Sequence, residues 1–238
     1  MTRRRWIADR VEGDHAYLLG QNATHLFRVL RAQPGQQFDV VANGLLRLGT
    51  IMHATSDQVE FHLGEEVVSQ SVPEISVYLA VFKFDRMEWA LEKLTELGVA
   101  RIQPVIAGRT AAHLVAAADR RVERWRKITR EAAQQARRLE PPRTETPLAF
   151  KHAISNCDDQ SRIVLSELEE TAHLKTVLSA LKPPLALALG PEGGWTEEEA
   201  DSFHSAGWKS ASLGPTILRA ETAAIAAVAV ALAEMTVF

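Results

Sequence analysis

An apolar run near the carboxyl end and a strand-like stretch some twenty residues after it, each followed by a glycine-proline bend, dominate the pattern of hydrophobic and polar positions. Residues 185–189 (LALAL) have the length and apolarity of a buried strand. Gly190-Pro191-Glu192-Gly193-Gly194 must then turn sharply, because glycine permits positive φ and Pro191 cannot donate to a ladder. Thr196, followed by Glu197, Glu198 and Glu199, predicts a helix start, with a hydroxyl cap and acids at the positive end of the dipole. The arrangement recurs as a strand at 209–213, a bend at Gly214-Pro215 and a long helix from about Leu218. Strand, bend and helix together present backbone N–H groups at the strand's carboxyl end, where open α/β sheets bind ligands. Two such bends side by side would form a pocket.

Upstream the pattern changes near Val72-Pro73. Before it, residues 38–41, 45–53 and 59–63 read as strands, and Asn43-Gly44 is a type I′ hairpin signal. Residues 22–30 predict one short helix, so the first 72 residues form a small, mostly β unit. Beyond it, strand and helix alternate. Residues 75–82 are an apolar strand, and Asp85 can cap a helix carrying Met87, Ala90, Leu91, Leu94 and Leu97 at 3.6 spacing, stopped by Gly98. A strand at 101–106, a basic helix starting at Asp119 and ending before Pro141-Pro142, a strand at 162–165 and a helix at 172–181 follow. Such alternation predicts a parallel sheet covered by helices on both faces, an α/β fold.

Composition narrows the function classes. The 238 residues are 46% hydrophobic and 24% charged, as in globular proteins. One cysteine, Cys157, excludes a disulfide framework. The longest apolar run, 223–233, is too short for a bilayer, which needs about 20 residues. MTRRRWIAD lacks the apolar core of a secretory signal, so a cytoplasmic location is the expectation. The histidines show no metal-ligand spacing, and neither GxxxxGK[ST] nor GxGxxG is present.

A net charge of −3 argues against a nucleic-acid partner, but its distribution argues for one. Arg3, Arg4 and Arg5 stand together, and residues 120–138 hold seven arginines and one lysine against Glu123 and Glu131, an excess of six. Arginine pairs bidentately with phosphate, although a solvated helix face explains such a run equally well.

LGPEGGWTEEE followed by LGPTILRAETA closely resembles the C-terminal signature of the bacterial 16S rRNA (uracil-N3)-methyltransferase family, within the SPOUT superfamily. HLFRVLR at 25–31, KFDRMEWALEKLTELGV at 83–99 and WRKITREAAQQ at 125–135 extend the resemblance over nearly the whole chain. It implies a PUA-like RNA-binding β-barrel over 1–72 and a SPOUT methyltransferase domain over 73–238, with a trefoil knot threaded within 185–238. It also implies S-adenosylmethionine as cofactor, 16S rRNA in the small ribosomal subunit as substrate, and a homodimer formed through the alanine-rich last helix. Burial of that helix inside its own subunit reads as well from the residues.

On the matching positions, the resemblance implies cofactor contacts from Leu165, Glu167, Leu189, Gly190, Pro191, Glu192, Gly193, Gly194, Leu213, Gly214, Ile217, Leu218, Glu221 and Thr222. RNA contacts are implied for Arg5, His25, Arg28, Arg31, Lys83, Arg86, Lys93, Arg109 and Arg138, with Arg5 and Trp6 forming an arginine-aromatic pair. His25 also reads as a core histidine. The chain departs from the family at Gln134-Gln135-Ala136-Arg137-Arg138, which keeps the arginine but lacks a glycine and a hydroxyl. Uracil N3 is a protonated imide, so its methylation needs alignment, stabilisation of charge on O2 and O4, and a proton acceptor. Arg219 suits the second task; Glu192 or Glu221 suits the third or holds the cofactor's ammonium group, and Glu192 also reads as a loop-orienting acid bonded to backbone N–H. Methylation of a ribose 2′-hydroxyl and RNA binding without catalysis remain alternatives.

Overall fold

The computed structural model describes residues 5–67, 72–136 and 138–235, so Arg3, Arg4 and Arg137 lie outside the described residues. By its contacts the chain divides into two compact units, Met1–Ser71 with Ala133–Glu140, and Val72–Ala132 with Pro141–Phe238.

In the first unit, β1 (Arg5–Ile7), β2 (Arg10–Glu12), β3 (His15–Leu19), β4 (Gln37–Ala42), β5 (Leu45–Ala54) and β6 (Gln58–Glu66) form one sheet in the order β1-β4-β5-β6-β3-β2. It curls into a half-barrel. Period-two alternation sends Val59, Phe61 and Leu63 of β6 into the core with Leu18, Val40 and Ile51. Asn43 and Gly44 have φ of 51° and 77°, the positive pair that a type I′ turn requires. β1 to β3 are too short to stand out by periodicity, and β1 joins by parallel pairing to β4. The expected helix at 22–30 is instead α1 (Gly20–Thr24) running into a π-helical turn, His25–Val29, where Leu30 N–H donates to His25 C=O at 3.1 Å.

The second unit contains β7 (Ile75–Ala80), α2 (Phe84–Glu96), β8 (Arg101–Ile106), α3 (Ala112–Ala118), α4 (Val122–Gln135), β9 (Arg143–Thr144), β10 (Leu148–Ala149), α5 (Phe150–Ser155), β11 (Ser161–Leu165), α6 (Leu174–Leu178), β12 (Leu185–Leu189), α7 (Glu197–Ser205), β13 (Lys209–Ala211) and α8 (Ala220–Met235). Its sheet runs β10-β8-β7-β12-β11-β13, with β9 also on β8, and every pairing is parallel. Leu185, Leu187 and Leu189 enter the core that α2, α6 and α8 cover. Ala186 and Ala188 enter the opposite core with Phe150 of α5 and Phe203 of α7. Burial on both faces is why β12 reads as a continuous apolar run. Residues Ala224, Ala227, Val228 and Ala231 bury α8 within this unit.

In this unit three expected helices differ from the sequence reading. Asp119 does not start the basic helix: α3 and a 3₁₀ turn, Asp119–Arg121, precede α4. The apolar stripe already begins at Leu114 and continues through Ala118, Val122 and Trp125, all buried. Asp85 does not cap α2, whose N-cap is Lys83 with no side-chain bond; Asp85 sits in the first turn, where its charge favours the dipole. The helix expected at 172–181 shrinks to α6, because the Thr171 and Ala172 N–H groups donate to Glu169 Oε1, each at 3.0 Å.

These bonds hold the Glu169 carboxyl at a pKa of about 2, well below its ordinary 4.5, with the Ala172 N–H contributing most. A depressed folded-state pKa means stability that is present above the ordinary value and lost as pH falls toward 2. In urea titrations, wild type should exceed Glu169→Gln by a constant margin at neutral pH, and the margin should close between pH 4.5 and 2. A margin that does not change with pH would contradict this origin.

Candidate functional site

The strand order places the carboxyl ends of β7, β12, β11 and β13 side by side, and a cleft of about 790 Å³ opens among the loops that leave them. Both glycine-proline bends line it, with Leu165 to Leu168 after β11 and Lys83 and Arg86 at the start of α2.

The first bend is held from four directions. Thr196 Oγ1 accepts the Glu199 N–H at 3.2 Å, and Glu199 Oε2 accepts the Thr196 N–H at 2.9 Å, a complete capping box. The other Glu199 oxygen accepts the Gly108 N–H from the loop after β8 at 2.7 Å. Arg109, the next residue, donates from Nη1 to the Gly193 carbonyl at 2.6 Å. Trp195 Nε1 donates to the Leu165 carbonyl at the end of β11 at 3.2 Å, while its ring packs on Phe203 at 4.9 Å. Finally, Arg86 donates from Nη1 to Glu192 Oε1 at 2.9 Å. Gly194 is in the left-handed region at φ +69°, and a Cβ there would stand 3.1 Å from Glu167 Oε1, so only glycine closes this bend without strain.

The second bend is more open. Gly214 has φ +122°, Pro215, Thr216 and Arg219 are exposed, and Ile217 is 83% exposed. Leu168, across the cleft lining, is 81% exposed. Two large apolar side chains on a cleft rim offer surface to a flat apolar ligand.

Of the residues implied for the cofactor, all line the cleft except Gly193, Glu221 and Thr222. The Gly193 carbonyl accepts from Arg109, which itself lines the cleft. Glu221 is buried, with Oε1 at 3.8 Å from Arg86 Nε, and Thr222 is exposed on α8. Arg219 and Glu192 both line the cleft, and the partner of the Glu192 carboxylate is Arg86.

Among residues implied for RNA, Lys83, Arg86 and Arg109 line the cleft. Lys93 is held by Glu92 and Glu96 at 2.7 and 2.8 Å, bonds that raise its pKa, with Glu92 the larger cause. Arg5, His25, Arg28, Arg31 and Arg138 belong to the first unit. His25, Arg28 and Arg31 are exposed, and burial lowers the pKa of Arg138. His25 is therefore not a core histidine. Trp6, 9% exposed and 6.0 Å from the His25 ring, is buried and presents no face to a base; Phe27, on the π-helical turn, is an exposed aromatic of the same unit.

Sequence reasoning missed Trp195 as an anchor and Glu199 as the tie to Gly108. Thr196-x-x-Glu199 signalled the capping box, but no local pattern signals a partner 91 residues away. Cys157 is buried, and its burial pushes the thiol pKa up, which removes it as a nucleophile.

The RNA methyltransferase domain family matches residues 69–232, and this is the class that the fold and cleft define. The ribosomal RNA small subunit methyltransferase E of Bacillus subtilis is 30% identical, over 87% of this chain and 85% of the relative. The protein of the same name from Neisseria gonorrhoeae, solved bound to S-adenosyl methionine, superimposes with a TM-score of 0.81 at 25% identity, covering 96% of both chains. A Legionella pneumophila methyltransferase solved with bound SAM gives 0.84 at 26% identity over 98% of each chain. The chain belongs to the ribosomal RNA small subunit methyltransferase E family.

Glu199→Ala removes the cap and the Gly108 acceptor together. It should lower unfolding free energy by about 1–3 kcal/mol in urea titrations. A loss below about 0.5 kcal/mol would show that the tie is not structural.

Proposed function

We propose that this protein transfers the methyl group of S-adenosylmethionine to N3 of a uridine in the 16S RNA of the small ribosomal subunit. The observation that carries the reading is the meeting of both glycine-proline bends at one cleft, within the segment that matches the RNA methyltransferase family.

The residues present suit this cofactor. Its adenine needs apolar faces and backbone partners, which Leu165, Leu189, Leu213, Ile217 and Leu218 and the two bends offer. Acidic groups suited to its ammonium, Glu167 and Glu192, lie in the same lining, with Gly190, Pro191, Gly194 and Gly214 allowing close backbone approach. Gly193, Glu221 and Thr222 act beside them. When bound, the cofactor supplies a methyl group already activated on a sulfonium.

The chain then has to position the uracil and manage its charge. Arg219, exposed at the mouth of α8, stabilises the negative charge that grows on O2 and O4. Arg86 holds one oxygen of Glu192, and we assign acceptance of the imide proton to the other. Lys83, Arg86 and Arg109 at the cleft, with Arg5, His25, Arg28, Arg31 and Arg138 in a PUA-like RNA-binding domain over 1–72, hold the RNA backbone. Lys93, held by Glu92 and Glu96 and outside the cleft lining, contributes less. The 73–238 segment is the methyltransferase domain, threaded as a knot within 185–238. It dimerises through α8, and the protein works in the cytoplasm; no described helix is long and apolar enough to cross a membrane.

The test is methyl transfer to small subunits from a strain lacking the activity, followed by mass mapping of the modified nucleoside. Label on the uracil base is expected; label on ribose would overturn the assignment. Arg219→Ala should lower kcat by about 100-fold while cofactor affinity holds. Turnover within a few-fold of wild type would remove Arg219 from this role.

A further inference from the structure

Arg86 faces two carboxylates and can neutralise one. Its Nη1 donates to Glu192 Oε1 at 2.9 Å, and its Nε lies 3.8 Å from Glu221 Oε1. Glu192 is exposed, so water screens part of its charge. Glu221 is only 6% exposed, and its Oε2 has no hydrogen-bond partner among the described residues. A buried carboxylate with an unsatisfied oxygen is costly unless a further positive group approaches it.

The chain's other cations at the cleft do not fill this place: among the described residues no ion pair or hydrogen bond joins Lys83, Arg109 or Arg219 to Glu221, and Arg109 is bonded to the Gly193 carbonyl. Glu221 sits in the first turn of α8, between Ala220 and Ala223, both of which line the cleft. The cleft wall therefore carries a deficit of positive charge at a buried point beside the ligand space.

We infer that Glu192, Arg86 and Glu221 form a charge discriminator that binds the cationic methyl donor in preference to its demethylated product. The inference rests on the cofactor reading above. Methyl transfer breaks the carbon–sulfur bond, leaves the electron pair on sulfur, forms the carbon–nitrogen bond at N3 and sends the imide proton to its acceptor. The bound ligand thus loses one positive charge, and once exposed Glu192 has passed the imide proton on to water the wall has its deficit again. A sulfonium is attracted by the uncompensated carboxylate, and a neutral thioether is not. The wall favours loading of fresh donor and departure of spent product. Arg86 is a positioning residue here, setting how much of the two carboxylates stays uncompensated.

The test is calorimetry of the full chain with S-adenosylmethionine and S-adenosylhomocysteine, read as the ratio of their affinities, which needs no turnover. Wild type should prefer the methyl donor by about tenfold. Glu221→Gln should collapse the ratio to within about twofold, and Arg86→Gln, which releases both carboxylates, should raise it above wild type. The opposite signs separate a charge effect from general loosening of the site, which would move both variants alike. If Glu221→Gln does not fold by circular dichroism, Arg86→Gln decides, and a ratio that fails to rise overturns the inference. A wild-type ratio near one, or a ratio unmoved in Glu221→Gln, overturns it too. Failure of wild type to bind either ligand would instead overturn the cofactor reading itself.

Discussion

The burial of β12 on both faces, between β7 and β11, determines where every group of the site stands. Leu185 to Leu189 are at most 1% exposed, so the chain can leave this strand only at its carboxyl end, in the middle of the sheet. The bend that follows opens beside the loops from β7, β11 and β13, because all of these strands point the same way. Four loops in a row make a cleft, and a parallel sheet puts it at the edge where backbone donors are unpaired.

Carboxylates convert that topology into a rigid site. Glu199 closes its own helix cap and reaches back to Gly108, so one buried side chain joins the loop after β8 to the helix after β12. Glu169 collects two backbone N–H groups and the Thr171 hydroxyl, shaping the loop between β11 and α6. Glu192 ties the first bend to α2 through Arg86. Each oxygen used this way is fixed before any ligand arrives, the preorganisation that lets dipoles act on developing charge. The second bend, with Ile217 and Arg219 exposed, stays open at the surface instead.

How much of this was legible depended on whether the signal was local. The LALAL strand, the Thr196 cap and the Asn43-Gly44 turn are written within five residues, and each stands where the pattern put it. The start of the basic helix was not legible from its charges, because the apolar stripe begins one element earlier, at Leu114 and Ala118. Several of the arginines that suggested phosphate binding have protein partners: Arg121 and Arg124 both pair with Glu88, and Arg126 pairs with Glu123. Glu199 with Gly108, Trp195 with Leu165, and Arg86 with Glu192 join residues 30 to 106 positions apart, and no periodicity encodes such pairs. Strand order has the same character. Alternation of strand and helix predicts a parallel sheet, yet nothing in it says that β12 will insert between β7 and β11.

On the proposed function the methyl donor lies between the two bends, and a crystal structure of the protein soaked with S-adenosylmethionine tests this most directly. Density for the ligand between Gly190–Gly194 and Gly214–Leu218, with its ring against Leu165 and Leu189, is the predicted result. Donor bound at any other surface, with this cleft filled only by water, would contradict the account.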